Sequence, residues 1–294
     1  MDVTLLGTGD TTGTPTPGCD CDTCQRAREL GVERTRFSVH VRNERTGESL
    51  LIDASPDFRS QFLTHDVPLP DEILISHVHF DHLDGLGNAY RLLGPRGGND
   101  EPVPVYAADE TDPATGESVA ETVASKYDYL DSGSITVRPR SPMEPFRAAG
   151  FDVTLVPVDH PPMLCYGVAI EESETGAKLS LTGDTSYAVP EASRDVLADA
   201  DLLLADGIVP ASVCERTSLP CGDRDENGAP RTYGTKHMTR EGALALGEEI
   251  DAETTRIVHA AHYYPADEAF VDPTAVDGER YRLPPADEDR SDNE

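Results

Sequence analysis

The sequence predicts a layered α/β domain, and three observations carry that prediction. Short apolar runs recur along the 294-residue chain, each bounded by Gly, Pro, Asp or Ser. Two segments of helical composition fall between the later runs. No stretch approaches the roughly 18 uninterrupted apolar residues that a membrane span needs, so no membrane association is expected.

Taken in order, a strand at Val3–Leu6 runs into the glycine turn "GTGD". "FSVHV", "SLLIDAS" and "EILISH" follow as strands separated by turn chemistry. Residues 94–118 are loop-rich, with one short strand at "VPVYA". Strands at 151–158 and 165–170 flank "DHPPM", and "KLSLTGD" comes next. "EASRDVLADA" reads as a helix and "DLLLAD" as the strand after it. "MTREGALALGEEI" is a helix with Thr239 in the N-cap position, and "RIVHA" is one more strand. One domain is expected over residues 1–285. The segment 286–294, "ADEDRSDNE", has no large apolar side chain and is expected to be disordered.

The charge balance is lopsided, with 55 acidic against 24 basic residues and a formal net charge of -31. Self-repulsion on that scale destabilises a compact protein at ordinary ionic strength, whereas molar salt screens charges within about 3 Å. The composition points to a high-salt cytoplasm. It also argues against a long nucleic-acid groove, which needs clustered Lys and Arg; nucleic acid is an unlikely partner on this reading. "MDVTLLGTGD" lacks a basic region followed by a long apolar block, which again points to the cytoplasm. A homodimer is compatible with the sequence.

The six cysteines do not suggest a disulfide framework in a reducing compartment. Cys165, inside "LCYGVAI", reads as an inert core thiol, and Cys214 and Cys221 lie in the unassigned segment 208–236. Cys19, Cys21 and Cys24, in "GCDCDTC", are spaced like metal ligands, but a structural zinc site takes four. His262 is the expected fourth. It stands three residues beyond His259, and an odd offset in extended chain sends the two side chains to opposite faces.

The strand "EILIS" delivers "HVHFDH", that is His77, His79, Asp81 and His82. His77 and His79 share one side of an extended chain, and Asp81 and His82 follow where it must turn. Imidazole and carboxylate are ligand types that zinc, manganese and iron share. Open α/β architectures place sites at the carboxyl ends of strands. A binuclear centre needs more ligands than one cluster supplies. His160 after "TLVPVD", Asp184 closing "LSLTGD" and His259 closing "RIVH" all stand at strand ends. Singly each is a common loop residue; together, in order behind the cluster, they form a set. His40 and His65 have no such context and are read as surface residues.

With these motifs the sequence resembles the metallo-β-lactamase fold superfamily of binuclear metallohydrolases. The "GTG" turn, "LLIDAS", "ISHVHFDHLDGL", His160, "LTGD" and "IVHAAH" fall in that family's order. The resemblance implies a four-layer αβ/βα sandwich of two mixed sheets flanked by helices. It implies His77, His79 and His160 on one metal, Asp81, His82 and His259 on the other, and Asp184 bridging. Within the superfamily, "GTGDTTGTPTPGCDCDTCQRAR" is similar to the cyclic phosphodiesterases of the carbon–phosphorus lyase pathway, which open ribose 1,2-cyclic phosphates. That likeness implies Cys19, Cys21, Cys24 and His262 around a structural zinc. It also implies His237, in "KHMTREGALAL", as a catalytic residue. A branch of quinone-cofactor synthesis shares the cysteine cluster.

The expected chemistry is hydrolysis of a small phosphodiester. Two divalent ions (zinc or manganese, with iron a third candidate) would acidify a bridging water and clamp a phosphoryl oxygen. Asp81 would orient the resulting hydroxide. His237 would stabilise charge on phosphorus or protonate the leaving oxygen. A thioesterase or lactonase on the same centre and a non-catalytic metal-binding protein are the alternatives. Substrate, metal identity and oligomeric state are not fixed by the sequence.

Overall fold

Strands buried along most of their length set the architecture of this computed structural model, which describes residues 1–113, 115–131 and 133–284. The first sheet has seven strands. They are β1 (Asp2–Gly7), β2 (Ser38–Arg42), β3 (Ser49–Ile52), β4 (Glu72–Ile75), β5 (Val103–Ala108), β6 (Ile135–Arg140) and β16 (Arg280–Arg282), in the order β16-β1-β2-β3-β4-β5-β6. The second sheet has six strands. They are β7 (Phe146–Ala148), β8 (Phe151–Val158), β9 (Cys165–Glu172), β10 (Ala177–Leu181), β11 (Leu202–Asp206) and β15 (Thr255–Val258), in the order β15-β11-β10-β9-β8-β7.

Side-chain alternation explains why the two sheets stack. Leu202 and Leu204 of β11 join the core shared with the first sheet, whereas Leu203 and Ala205 join a second core on the outer side. There α6 (Glu191–Leu197) and α7 (Arg240–Glu249) contribute Leu197, Ala243 and Leu246. On the first sheet, α2 (Phe58–His65) and α5 (Val119–Lys126) pack Phe58, Phe62, Val119 and Val123 against the core. The layers are therefore helix, sheet, sheet, helix.

Pairing direction then gathers the chemistry. β3 to β6 run parallel, as do β10, β11 and β15. Their carboxyl ends bring Asp53, His77, Asp184, Asp206 and His259 to one edge of the sandwich.

Three expectations change. His40, on β2, is buried, with its ring edge-on to Phe62 at 6.2 Å between centroids. His65 ends α2 half-buried, with Nε2 3.1 Å from the Leu6 carbonyl. His40 is not a surface residue and His65 is only partly one, because α2 closes over the first strands. Cys214 and Cys221 form a disulfide, with Cα atoms 6.1 Å apart and well within bridging range. It staples the segment left unassigned by sequence, which folds as a 3₁₀ turn (Ala211–Glu215) and a small sheet of β12 (Cys221–Arg224), β13 (Pro230–Tyr233) and β14 (His237–Met238). The segment 286–294 and the expected domain limit at residue 285 lie outside the described residues. Among those described, no helix is long and apolar enough to cross a membrane.

Candidate metal centre

β4 ends at Ile75, and the chain then runs extended through His77 to His79 before turning into a four-residue helix, α3 (Phe80–Leu83). His77 Nε2 lies 2.9 Å from His79 Nδ1, and His160 Nε2 lies 3.3 Å from that same atom. Asp184 Oδ2 is 3.7 Å from His77 Nε2, so three imidazoles and one carboxylate converge within 4.8 Å. The helical turn points Asp81 and His82 elsewhere. Asp81 Oδ2 is 3.3 Å from His259 Nε2 and 3.6 Å from His82 Nε2. Asp184 reaches this second group too, through Oδ2 to His259 Nε2 at 3.5 Å and Oδ1 to His82 Nε2 at 3.5 Å. All seven residues named from the sequence thus meet in two groups, with Asp184 common to both.

Burial and charge sort the histidines. Burial, helped by the neighbouring imidazoles, depresses His77 well below the ordinary histidine value. It takes His79 down to about 4 and lowers His160 as well. These rings keep their lone pairs. For His82 and His259 burial opposes the charge, but Asp184, with Asp53 for His82 and Asp206 for His259, outweighs it and raises both well above normal. Burial alone would raise Asp81 and Asp184; the facing histidines win and hold both carboxylates ionised. His82 Nε2 is buried with no hydrogen-bond partner. An unsatisfied ring nitrogen between two carboxylates, beside three neutral imidazoles, fits a pair of divalent cations better than it fits an empty polar core.

Two residues not singled out from the sequence hold histidines of the centre, Asp53 a ligand and Asp206 the neighbouring His237. Asp53 Oδ2 takes a 2.6 Å hydrogen bond from His82 Nδ1 and a 2.7 Å one from Ser76 Oγ. Asp206 Oδ2 is 2.8 Å from His237 Nδ1, and its Oδ1 lies 3.7 Å from His259 Nδ1. Both stand at strand ends, the same signal that singled out Asp184. His237 fills the gap between the groups, its ring 5.0 Å from His160 and stacked at 5.2 Å on His259.

A separate cluster forms at the N-terminal loop. Cys21 caps α1 (Asp22–Leu30), and His262 Nδ1 lies 3.2 Å from Cys19 Sγ and 3.5 Å from both Cys21 Sγ and Cys24 Sγ. Three thiols around one imidazole match the donor set of a closed zinc site. His259 and His262 do diverge, but through a turn rather than strand alternation, because β15 stops at Val258 and His259 adopts a φ of +57°.

The profile of the Beta-lactamase superfamily domain matches residues 48–260. A solved structure, a diphosphatase from the PhnP family, is 26% identical and covers 96% of this chain and 97% of its own, with a TM-score of 0.73. An octanoyltransferase of Porphyromonas gingivalis is 44% identical over 82 residues, 28% of this chain but only 16% of that protein. Ribonuclease BN of Erwinia tasmaniensis is 30% identical over 195 residues, 65% of this chain and 56% of that protein. The chain therefore spans less than two thirds of either curated relative. Likeness to a ribonuclease also withdraws support from the expectation that nucleic acid is an unlikely partner.

Proposed function

The chain belongs to the β-lactamase superfamily, and from that premise we propose that it is a metal-dependent hydrolase that cleaves a small phosphodiester, with a ribose cyclic phosphate as the favoured substrate. The single observation behind the binuclear reading is Asp184, whose carboxylate faces His77 on one side and His82 and His259 on the other. His77, His79 and His160 would hold one ion, Asp81, His82 and His259 the other, and Asp184 both. Zinc or manganese suits these sites, iron less commonly, and zinc suits the cysteine cluster. The ions would supply Lewis acidity and a water acidified towards neutrality.

The remaining steps fall to the chain's own side chains. Asp206 fixes the His237 ring by Nδ1, so Nε2 is the atom presented between the two ligand groups. From there it can donate to a phosphoryl oxygen or to the departing sugar oxygen. The likeness to a diphosphatase of the PhnP family supports cleavage at phosphorus, and the sequence resemblance to cyclic phosphodiesterases supports a small substrate. The ribonuclease BN likeness supports a second reading, in which the ester lies in an RNA. The acid excess supports a cytoplasm of high salt as the setting.

The test is metal analysis by mass spectrometry combined with turnover, at high salt, of bis(p-nitrophenyl) phosphate, a ribose 1,2-cyclic phosphate, a 3′-extended RNA and a thioester. Metal-dependent hydrolysis of the cyclic ester above the others supports the proposal. Faster cleavage of the RNA moves the assignment to the second reading, and hydrolysis of the thioester alone overturns both.

A further inference from the structure

Besides the bond from His82 to Asp53, a hydrogen bond reaches the centre from the N-terminal loop. Thr11, exposed on the N-terminal loop, donates from Oγ1 to Asp81 Oδ2 at 2.7 Å. That oxygen is the one lying 3.3 Å from His259 Nε2 and 3.6 Å from His82 Nε2, so it is the Asp81 atom turned into the second ligand group. We infer, on the reading of the centre given above, that Thr11 is a positioning residue for Asp81. It fixes the tilt of the carboxylate, holding one oxygen, Oδ2, towards His82 and His259, where the second ion would sit.

The chain around Thr11 is built to hold it still. Asp10 Oδ1 accepts from the backbone of Thr12 at 3.2 Å and of Gly13 at 3.1 Å, closing a turn over Thr11. Gly13 has a φ of +68°, and a Cβ there would sit 2.9 Å from the Arg34 carbonyl, so the turn requires glycine. Before the turn, Gly9 N bonds the Thr35 carbonyl at 2.8 Å, and the Thr8 carbonyl receives Ala260 N, next to His259, at 3.0 Å. After it, Thr14 N bonds the Arg34 carbonyl at 2.9 Å, and Thr16 N points at Cys24 Sγ at 3.3 Å. The loop that ends in the cysteine cluster thus presents Thr11 at a fixed place.

The chemistry follows from the donor. The last torsion of a free aspartate is soft, whereas a neutral hydroxyl donating to Oδ2 narrows its range without adding charge. The β-branched threonine also has few χ1 options, so ordering its hydroxyl costs little entropy.

The experiment compares wild type, Thr11→Val and Thr11→Ser. Zn²⁺ and Mn²⁺ are titrated into each apo-protein against a competing chelator, and kcat and KM are measured on bis(p-nitrophenyl) phosphate. In Thr11→Val the weaker-binding ion is expected to lose affinity, and kcat to fall, by about 10- to 100-fold, the usual cost of removing a partner of a metal ligand. KM and the apo-protein's thermal midpoint should stay at wild-type values, and Thr11→Ser should recover most of both losses. Wild-type ion affinity and kcat in Thr11→Val would overturn the inference. So would a Thr11→Ser variant as impaired as Thr11→Val, which would make the effect one of packing. A wild-type protein that takes up no ion would instead overturn the reading of the centre itself.

Discussion

Asp53 and Asp206 each grip a histidine by Nδ1, and neither needs to touch a metal to matter. Their sequence contexts, "LLIDAS" and "DLLLAD", resemble that of Asp184, but a strand-end aspartate carries no mark saying whether it will ligate or orient. The difference lies in which side chain folding puts opposite it. Asp206→Asn tests the orienting role. It keeps the size and removes the charge facing His237, so kcat should drop about 10- to 100-fold with both catalytic ions retained; loss of an ion would make Asp206 a ligand. His40 shows the opposite case, a histidine whose burial no local pattern announces. Burial lowers its pKa to about 4, against about 6.5 in an unfolded chain. Above pH 6.5 neither state is protonated and no stability is lost. As pH falls from 6.5 towards 4 the unfolded state alone takes up the proton, and folding weakens by up to roughly 3 kcal/mol. His40→Leu should therefore flatten acid destabilisation over that window, measured by urea unfolding at stepped pH. An unchanged pH dependence would show that His40 is already protonated when folded.

At the scale of elements, the strands read most easily were those buried on both faces, because an apolar run is visible whatever it packs against. β4 and β11 are such strands, with every residue of β11 buried. The elements that escaped are polar or short. β6 reads "ITVRPR" and β12 reads "CGDR", so each takes its conformation from a neighbouring strand rather than from its own pattern. α1 buries only Thr23, Cys24 and Ala27, and its limits come from Cys21 as N-cap and Gly31 in the left-handed region. By contrast Thr239 was legible as a cap, and it does more than cap. Its hydroxyl accepts from Gly242 N at 3.1 Å and donates to the Pro230 carbonyl at 2.8 Å, joining α7 to β13 just beyond His237. Thr239→Ala should lower unfolding stability by about 1–2 kcal/mol and reduce kcat through a displaced His237. A loss of stability with full kcat would show that β14 is held without the cap.

At the scale of the molecule, the net charge of -31 has to be offset by solvent, since no compensating basic tract exists in the sequence. The thermal midpoint should rise steeply from low salt to molar KCl, and a flat response would remove the case for a high-salt setting. The cysteine cluster is the other device of this size. Cys19 and His262 are 243 positions apart, so one ion there would link the two ends of the described chain beside the strand that presents His259. By the chain-entropy argument, a crosslink of that span is worth at most about 5 kcal/mol. The parity of His259 and His262 pointed to this partner, although the turn at His259 is what separates the two rings. In His262→Ala three thiols remain without their imidazole, while Asp81, His82 and His259 keep their own partners. That variant should lose one zinc per chain, unfold at lower temperature and keep most of its catalytic metal. Full retention of every ion would mean that a different residue completes the cysteine set, and the N-terminal loop would then owe its position to contacts other than His262.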